Sequence, residues 1–148
     1  MAKILKLAAG GVGGFVVLAL GFDLYVAVAQ PGLGPGHCDL HTTDADGTVH
    51  RDRLALFEDG ETLWVQSGHH FRGWYHRAVA DPMVLLDCGD GPEPHTAVAL
   101  ETPEAKAHMH ELIRRRVGRF GAVAIRVLLL GADVKPVRLD PRVSSGIE

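Results

Sequence analysis

Cationic, histidine and aromatic side chains cluster between Val49 and Pro82. On the predicted strand Thr48–Glu58, Arg51 and Arg53 share one face because side chains alternate along a strand. The following strand ends in a Ser-Gly turn, where backbone N–H groups at the start of a helix can bind an anion. The pattern predicts a pocket for a phosphorylated, planar ligand. Its candidate residues are Arg51, Arg53, Ser67, Gly68, His69, His70, Arg72, Trp74 and Arg77. The alternative is a solvated turn with a Trp-Tyr core anchor.

Metal and nucleophile chemistry are less well supported. The chain has nine histidines, but Cys38 and His41 stand three apart on a predicted strand and so point to opposite faces. The spacing therefore predicts no metal site. A Gly-x-Ser-x-Gly elbow is absent from the sequence. Cys38 and Cys88 fall at predicted strand ends, where inert structural thiols are expected, although one disulfide could form outside the cytosol.

Composition indicates one globular domain. The chain has 148 residues, 47% of them hydrophobic, and a formal charge of −3. This length leaves little for a second domain, and the hydrophobic fraction excludes wholesale disorder. The near-neutral charge argues against a nucleic-acid partner.

Residues 1–30 form a separate apolar segment. The stretch from Ile4 to Ala29 would span about 39 Å as a helix, enough to cross a bilayer core of about 30 Å. The sequence therefore predicts a transmembrane helix and a single-pass membrane protein. Lys3 and Lys6 precede the span, which predicts that residues 31–148 lie on the extracytoplasmic side. A cleaved signal peptide is the alternative.

Small residues recur along this apolar segment. The spacing of Gly10, Gly14 and Gly21 allows two helices to approach closely in a membrane. It predicts a helix partner, either a second copy of the chain or another membrane subunit.

Turn signals divide the rest of the chain into short elements. A Pro/Gly linker at 31–36 precedes a domain at 37–141, and a tail follows at 142–148. The first three predicted strands should form an antiparallel meander. Six short strands with two covering helices favour a small barrel, with an α+β sandwich as the alternative. The predicted strands are His37–Thr43, Thr48–Glu58, Glu61–Ser67, Met83–Cys88, Glu93–Leu100 and Asp133–Leu139, and the helices are 68–80 and 103–130.

One run of residues resembles a known family. The segment from Trp74 to Val84 reads Trp-Tyr-His-Arg-Ala-Val-Ala-Asp-Pro-Met-Val. It is similar to the Trp-Tyr-His-Asn-Leu-x-Ala-Asn-Pro-x-Val run of the deazaflavin-dependent nitroreductase/quinone reductase family, and Val137–Pro141 resembles that family's last strand. The resemblance implies a split β-barrel that binds a deazaflavin coenzyme or FMN. It also implies that Arg51 grips the cofactor's phosphate tail, beside the turn Ser67–His70.

Three functions follow from these observations. The first is a membrane-anchored split-barrel oxidoreductase that passes hydride from a deazaflavin or flavin to a quinone or nitro compound. The second is a cofactor-free split barrel that serves as an accessory subunit of a larger membrane complex. The third is a secreted ligand-binding domain. Reduced deazaflavin is expected in the cytosol, so an extracytoplasmic barrel favours the second function. A homodimer remains open in each case.

Overall fold

The computed structural model of the chain describes residues 13–21, 36–68, 72–128 and 133–142. Within these ranges there are three helices: α1 over residues 13–21, α2 over Gly73–Ala80 and α3 over Pro103–Leu128. The strands are β1 (His37–Thr43), β2 (Val49–Ala55), β3 (Phe57–Asp59), β4 (Thr62–Ser67), β5 (Met83–Asp87), β6 (Pro92–Ala99) and β7 (Lys135–Pro141).

The seven strands form one antiparallel sheet in the order β2-β1-β5-β6-β7-β4-β3. The two edge strands, β2 and β3, are separated in the chain by Leu56 alone. The two ends of the sheet must therefore lie together, and the sheet curls into a barrel. This confirms the predicted split β-barrel.

Alternate residues of each strand face the barrel interior, and most of these residues are apolar. Leu40, Val65 and Val84 are buried there. Helix α2 contributes Trp74 and Ala78 to the same core, and Trp74 is only 1% exposed. This burial agrees with the alternative of a Trp-Tyr core anchor, since Tyr75 is also buried.

Helix α3 covers the outer face of the sheet. Its Met109 and Leu112 pack with Phe57 of β3, Trp64 of β4 and Val134. At Gly118 the helix is interrupted by a non-helical residue with φ 75°, a conformation that favours glycine. No residue of α3 beyond this interruption belongs to the apolar cluster under the helix.

The predicted three-stranded meander over residues 37–67 is right in its two antiparallel hairpins, β1 with β2 and β3 with β4, but wrong in its continuity. β4 pairs with β7 on one side and β3 on the other, and not with β2. The long predicted strand Thr48–Glu58 is divided at Leu56: its first part joins the ladder with β1 and its second the ladder with β4. Local turn signals specify hairpins, but they do not specify the pairing of β4 with a strand about 70 residues further along the chain.

The predicted transmembrane helix is also wrong. Within residues 1–30 the structure describes residues 13–21, which are helical. Over the described part of the chain, no helix has both the length and the apolar character needed to cross a bilayer. The predicted single-pass membrane localisation is corrected on the same ground. Gly10 lies outside the described residues, and a Cβ placed on Gly14 or Gly21 would meet nothing within 4 Å, so helix contact along these glycines stays a prediction.

A disulfide joins Cys38 to Cys88, with the Cα atoms 4.4 Å apart. The expectation of two inert thiols is therefore wrong. The antiparallel register explains the pairing, since Asp39 lies opposite Asp87 and the next position outward brings Cys38 opposite Cys88. The two residues are 50 positions apart in the chain, so only the strand pairing reveals that they meet.

Candidate functional site

Arg51 and Arg53 lie on the outer face of β2, as the alternation predicts. Both are exposed, whereas the inward-facing residues of β2 are partly or fully buried. The Arg51 Nε donates a hydrogen bond to Asp39 Oδ2 at 2.9 Å. Arg53 lies directly opposite Asp39 in the strand pairing, but it forms no side-chain hydrogen bond or ion pair with any described residue. Arg53 is therefore the cation of this face that is most available to an anion.

Arg77 belongs to a second cluster, on the inner side of β2. Its Nε donates to Thr42 Oγ1 at 2.8 Å and its Nη2 donates to Asp52 Oδ2 at 2.7 Å. The Arg77 and Asp52 side chains are mostly buried, and Thr42 is fully buried. The ion pair neutralises Arg77, so this guanidinium is held as a structural link between α2, β1 and β2.

The turn before α2 supplies fewer groups for binding an anion than the sequence predicts. Ser67 is fully buried at the end of β4, and Gly68 is partly buried. Arg72 occupies the N-cap position of α2, where no side chain caps the helix. His69 and His70 lie outside the described residues.

Trp74 cannot stack on a ligand in this conformation because its side chain is enclosed by the core. Its indole Nε1 is buried and has no hydrogen-bond partner in the described structure. The structure therefore places Arg51 and Arg53 on the outer face of β2, and Arg77 and Trp74 on its inner side. Within the described residues, Arg51 and Trp74 do not line one pocket.

A polar cluster that the sequence reasoning missed surrounds Tyr75. The Tyr75 hydroxyl donates to Glu101 Oε1 at 2.5 Å, and Lys135 Nζ lies 3.1 Å from the same oxygen. The Lys135 ammonium also sits 4.9 Å from the centre of the Tyr75 ring. Burial, and then the Glu101 carboxylate, raise the pKa of Tyr75 well above its usual range. Hydrogen bonds from Tyr75 and then from Lys135 hold the pKa of Glu101 below its usual value.

A groove of about 340 Å³ lies between β3 and α3, a volume within the usual range of small-molecule sites. Arg116 is fixed at its edge: Nη1 donates to the Leu56 carbonyl at 2.8 Å, and the guanidinium lies 5.1 Å above the Phe57 ring. The lining residues are Leu56, Phe57, Glu58, Leu112, Arg115 and Arg116. No local sequence pattern indicates this groove, because its residues come from segments more than 50 positions apart.

The groove continues the surface that carries the two outer arginines. Residues 51, 53, 55 and 57 succeed one another on the outer side of the chain, and Ala55 packs against the cluster under α3. Four residues of extended chain from Arg53 to Phe57 span about 13 Å. Compared with the inner cluster, this surface offers exposed guanidinium donors and an open, partly apolar groove. It also carries carboxylates, since Asp39 and Asp87 lie opposite each other beside Arg53.

Comparison with solved structures identifies the fold. A structure described as an F420-H2 dependent reductase matches with a TM-score of 0.55 at 20% identity, over 72% of this chain and 95% of that one. A candidate pyridoxamine 5'-phosphate oxidase from Listeria innocua matches with a TM-score of 0.54 at 16% identity, over 84% and 94%. The heme storage protein HutZ from Vibrio cholerae matches with a TM-score of 0.56 at 19% identity, over 73% and 82%.

These matches confirm, at the level of the fold, the resemblance to deazaflavin-dependent and flavin-reductase-like split barrels. No protein-family model matches the sequence, and no curated protein matches it.

Proposed function

We propose that this chain is a split-barrel oxidoreductase that binds a deazaflavin coenzyme or FMN and transfers hydride to a quinone or nitro compound. The observation that carries the proposal is the shared fold, which covers almost the whole of a deazaflavin-dependent reductase and of a candidate flavin-type oxidase. The bound cofactor would supply the hydride chemistry, and the protein would supply binding and orientation.

The outer surface of β2 and β3 is the part of the chain that supports this function. Arg53, with Arg51 beside it, would hold the anionic part of the cofactor, because charge-assisted hydrogen bonds to phosphate are each worth roughly 1.5–3 kcal/mol. The groove beside Phe57 and Arg116 would hold the apolar part. Trp74, Arg77 and Asp52 would support the barrel wall from inside rather than touch the cofactor.

Titration of the full chain with the oxidised deazaflavin coenzyme, and separately with FMN, tests the proposal. We expect saturable binding of one of them, followed by ligand fluorescence. Arg53→Ala should weaken that binding about tenfold, which corresponds to the loss of one charge-assisted contact. Arg114→Ala is the matched control, because Arg114 is an exposed arginine of α3 that pairs with Glu111. Equal effects of the two substitutions would contradict the assignment of Arg53.

A cofactor-free barrel that serves as a subunit of a larger assembly is the second candidate. The observation that favours it is the internal neutralisation of the predicted cations: Arg77 pairs with Asp52 and Arg51 pairs with Asp39. Absence of binding of either cofactor at high micromolar concentration would favour this function over the reductase.

A further inference from the structure

The Cys38–Cys88 disulfide lies at the end of a short ladder. Strands β1 and β5 pair through three residue pairs, and the pair nearest to the bond is Asp39 with Asp87. The bond joins the next position outward, so it closes this end of the ladder covalently. Like charges directly opposite each other on neighbouring strands destabilise the pairing of those strands. The disulfide therefore holds together a ladder whose terminal carboxylates repel each other.

Asp39 also faces the two arginines assigned to cofactor binding. It lies directly opposite Arg53, yet its Oδ2 atom accepts hydrogen bonds from Arg51, the diagonal neighbour on β2. Direct and diagonal neighbours across a ladder are both within reach of a long side chain. Asp39 therefore has two alternative partners, and its contact with Arg51 leaves Arg53 available to an anion.

The two cysteines differ in their access to solvent. Cys88 is an exposed residue just beyond β5, whereas Cys38 is only 5% exposed and belongs to the barrel core. A thiolate opens a disulfide by attacking one of its sulfurs, and the rate depends on access to that sulfur. An external thiol therefore attacks Cys88 and releases Cys38.

The setting of the proposed reaction favours a bond that can open. Reduced deazaflavin is expected in the cytosol, where thiols are also kept reduced. A disulfide in such surroundings is usually transient and redox-sensing. For the reductase proposed above, the Cys38–Cys88 bond is therefore expected to open and close.

We propose that the Cys38–Cys88 bond is a redox switch for the anion site at Arg53, a form of regulation that rests on the function proposed above. In the oxidised protein, the bond keeps Asp39 in contact with Arg51. After reduction, the end of the β1–β5 ladder separates, and movement away from β5 brings Asp39 towards the residue directly opposite it on β2. Asp39 then pairs with Arg53, and the cofactor's anionic group loses that cation.

The reductant is a dithiol, and the step is a thiol–disulfide exchange. One thiolate of the dithiol attacks the Cys88 sulfur, the bond to Cys38 breaks, and Cys38 leaves as a thiolate that takes up a proton. The second thiolate of the dithiol then attacks the dithiol sulfur of this mixed disulfide and releases Cys88, which is protonated in turn. Two electrons and two protons pass from the dithiol to the protein, and the dithiol becomes a disulfide.

Titration of the full chain in both redox states tests the switch. The oxidised protein should bind FMN or the oxidised deazaflavin coenzyme about tenfold more tightly than the protein reduced with dithiothreitol, which corresponds to one charge-assisted contact. A Cys38→Ala, Cys88→Ala double variant should bind like the reduced protein and should not respond to the reductant. Circular dichroism reports whether the reduced protein stays folded. Equal affinity in the two states, or unfolding on reduction, overturns the proposal.

A substitution of Asp39 separates the switch from a general loosening of the sheet. Asp39→Asn removes the carboxylate that changes partner, so the cofactor affinity of this variant should no longer respond to reduction. Asp90→Asn is the matched control, because Asp90 is an exposed carboxylate of the β5–β6 turn outside the ladder. The control should keep the response, and an equal response in both variants overturns the proposal.

NMR signals of the arginine Nε–H groups report the change of partner without any cofactor. On reduction, exchange of the Arg53 Nε proton with water should slow and that of Arg51 should quicken, because a hydrogen bond to Asp39 protects the proton. Failure of the oxidised protein to bind either cofactor would contradict the proposed function alone. Arginine signals that do not respond to reduction overturn the switch, whether or not a cofactor binds.

Discussion

Arg77 occupies a space that only a glycine at the start of α2 leaves open. A Cβ built on Gly73 would lie 2.7 Å from Arg77 Nη1. The guanidinium cannot move away freely, because Thr42 and Asp52 hold it by hydrogen bonds. Gly73 is therefore required to leave space for the Arg77–Asp52 ion pair, and not for the backbone conformation of the helix.

Gly73→Ala should consequently destabilise the protein, although alanine in a helix usually gains about 0.5–1 kcal/mol over glycine. The displaced Arg77 would leave Asp52 without its partner, and breaking a buried ion pair costs up to about 3–5 kcal/mol. In an Arg77→Ala background the same substitution should be stabilising. Denaturant unfolding of the four proteins measures both effects, and a change of the same sign in both backgrounds would contradict this role for Gly73.

Tyr75 should remain protonated at a pH at which an ordinary tyrosine ionises. Because its folded-state pKa is raised, its contribution to stability is complete below the unfolded-state pKa and is lost as the pH rises through the folded-state value. Glu101→Gln should lower the pKa of Tyr75 in part, since burial remains. Absorbance at 295 nm during alkaline titration measures the ionisation, with Tyr75→Phe to assign it. Ionisation of Tyr75 near pH 10 in the folded protein would refute this expectation.

The placement of single side chains could be predicted from the sequence only where a local rule applied. Strand alternation correctly placed Arg51 and Arg53 on one face and Asp52 on the other. The partners of Arg77 are 35 and 25 positions away in the chain, so no spacing rule could reveal the ion pair. The same limit hid the contact of Tyr75 with Glu101 and Lys135.

At the scale of elements, the interruption of α3 depends on one residue. Gly118 has φ 75° and ψ 168°, a backbone region that is essentially confined to glycine and costs other residues roughly 1–3 kcal/mol. Gly118→Ala should therefore lower the free energy of unfolding by about that amount or straighten α3. Thermal unfolding measures the first outcome and helical circular dichroism the second. An unchanged stability together with an unchanged helix content would contradict the assignment.

Elements bounded by strong local signals were predicted well. The predicted strand His37–Thr43 coincides with β1, and Pro103 begins α3 as the Thr-Pro-Glu signal indicates. The predicted strand Thr48–Glu58 runs unbroken across Leu56, because nothing in its local pattern marks the change of ladder there. That change follows from barrel closure, which is a property of the whole sheet.

At the scale of the whole molecule, the disulfide should contribute strongly to stability. It closes a loop of 50 residues, for which the chain-entropy model gives about 4 kcal/mol. Dithiothreitol should therefore lower the melting temperature by on the order of 10 °C. A Cys38→Ala, Cys88→Ala double variant is the control, since its melting temperature should not respond to the reductant. A reductant effect of equal size on both proteins would refute the expectation.

The position of Leu56 has a mechanical consequence for the barrel wall. The peptide chain itself closes the seam between β2 and β3, and a disulfide secures the short ladder between β1 and β5. Hairpin turns tie β1 to β2, β3 to β4 and β5 to β6. Among the described strands, β7 is then the one that no turn or disulfide joins directly to either neighbouring strand, β6 or β4. We therefore expect the sheet to open first at β7. Amide hydrogen exchange should be faster at the β7 amides that bond to β4 than at the β6 amides that bond to β5.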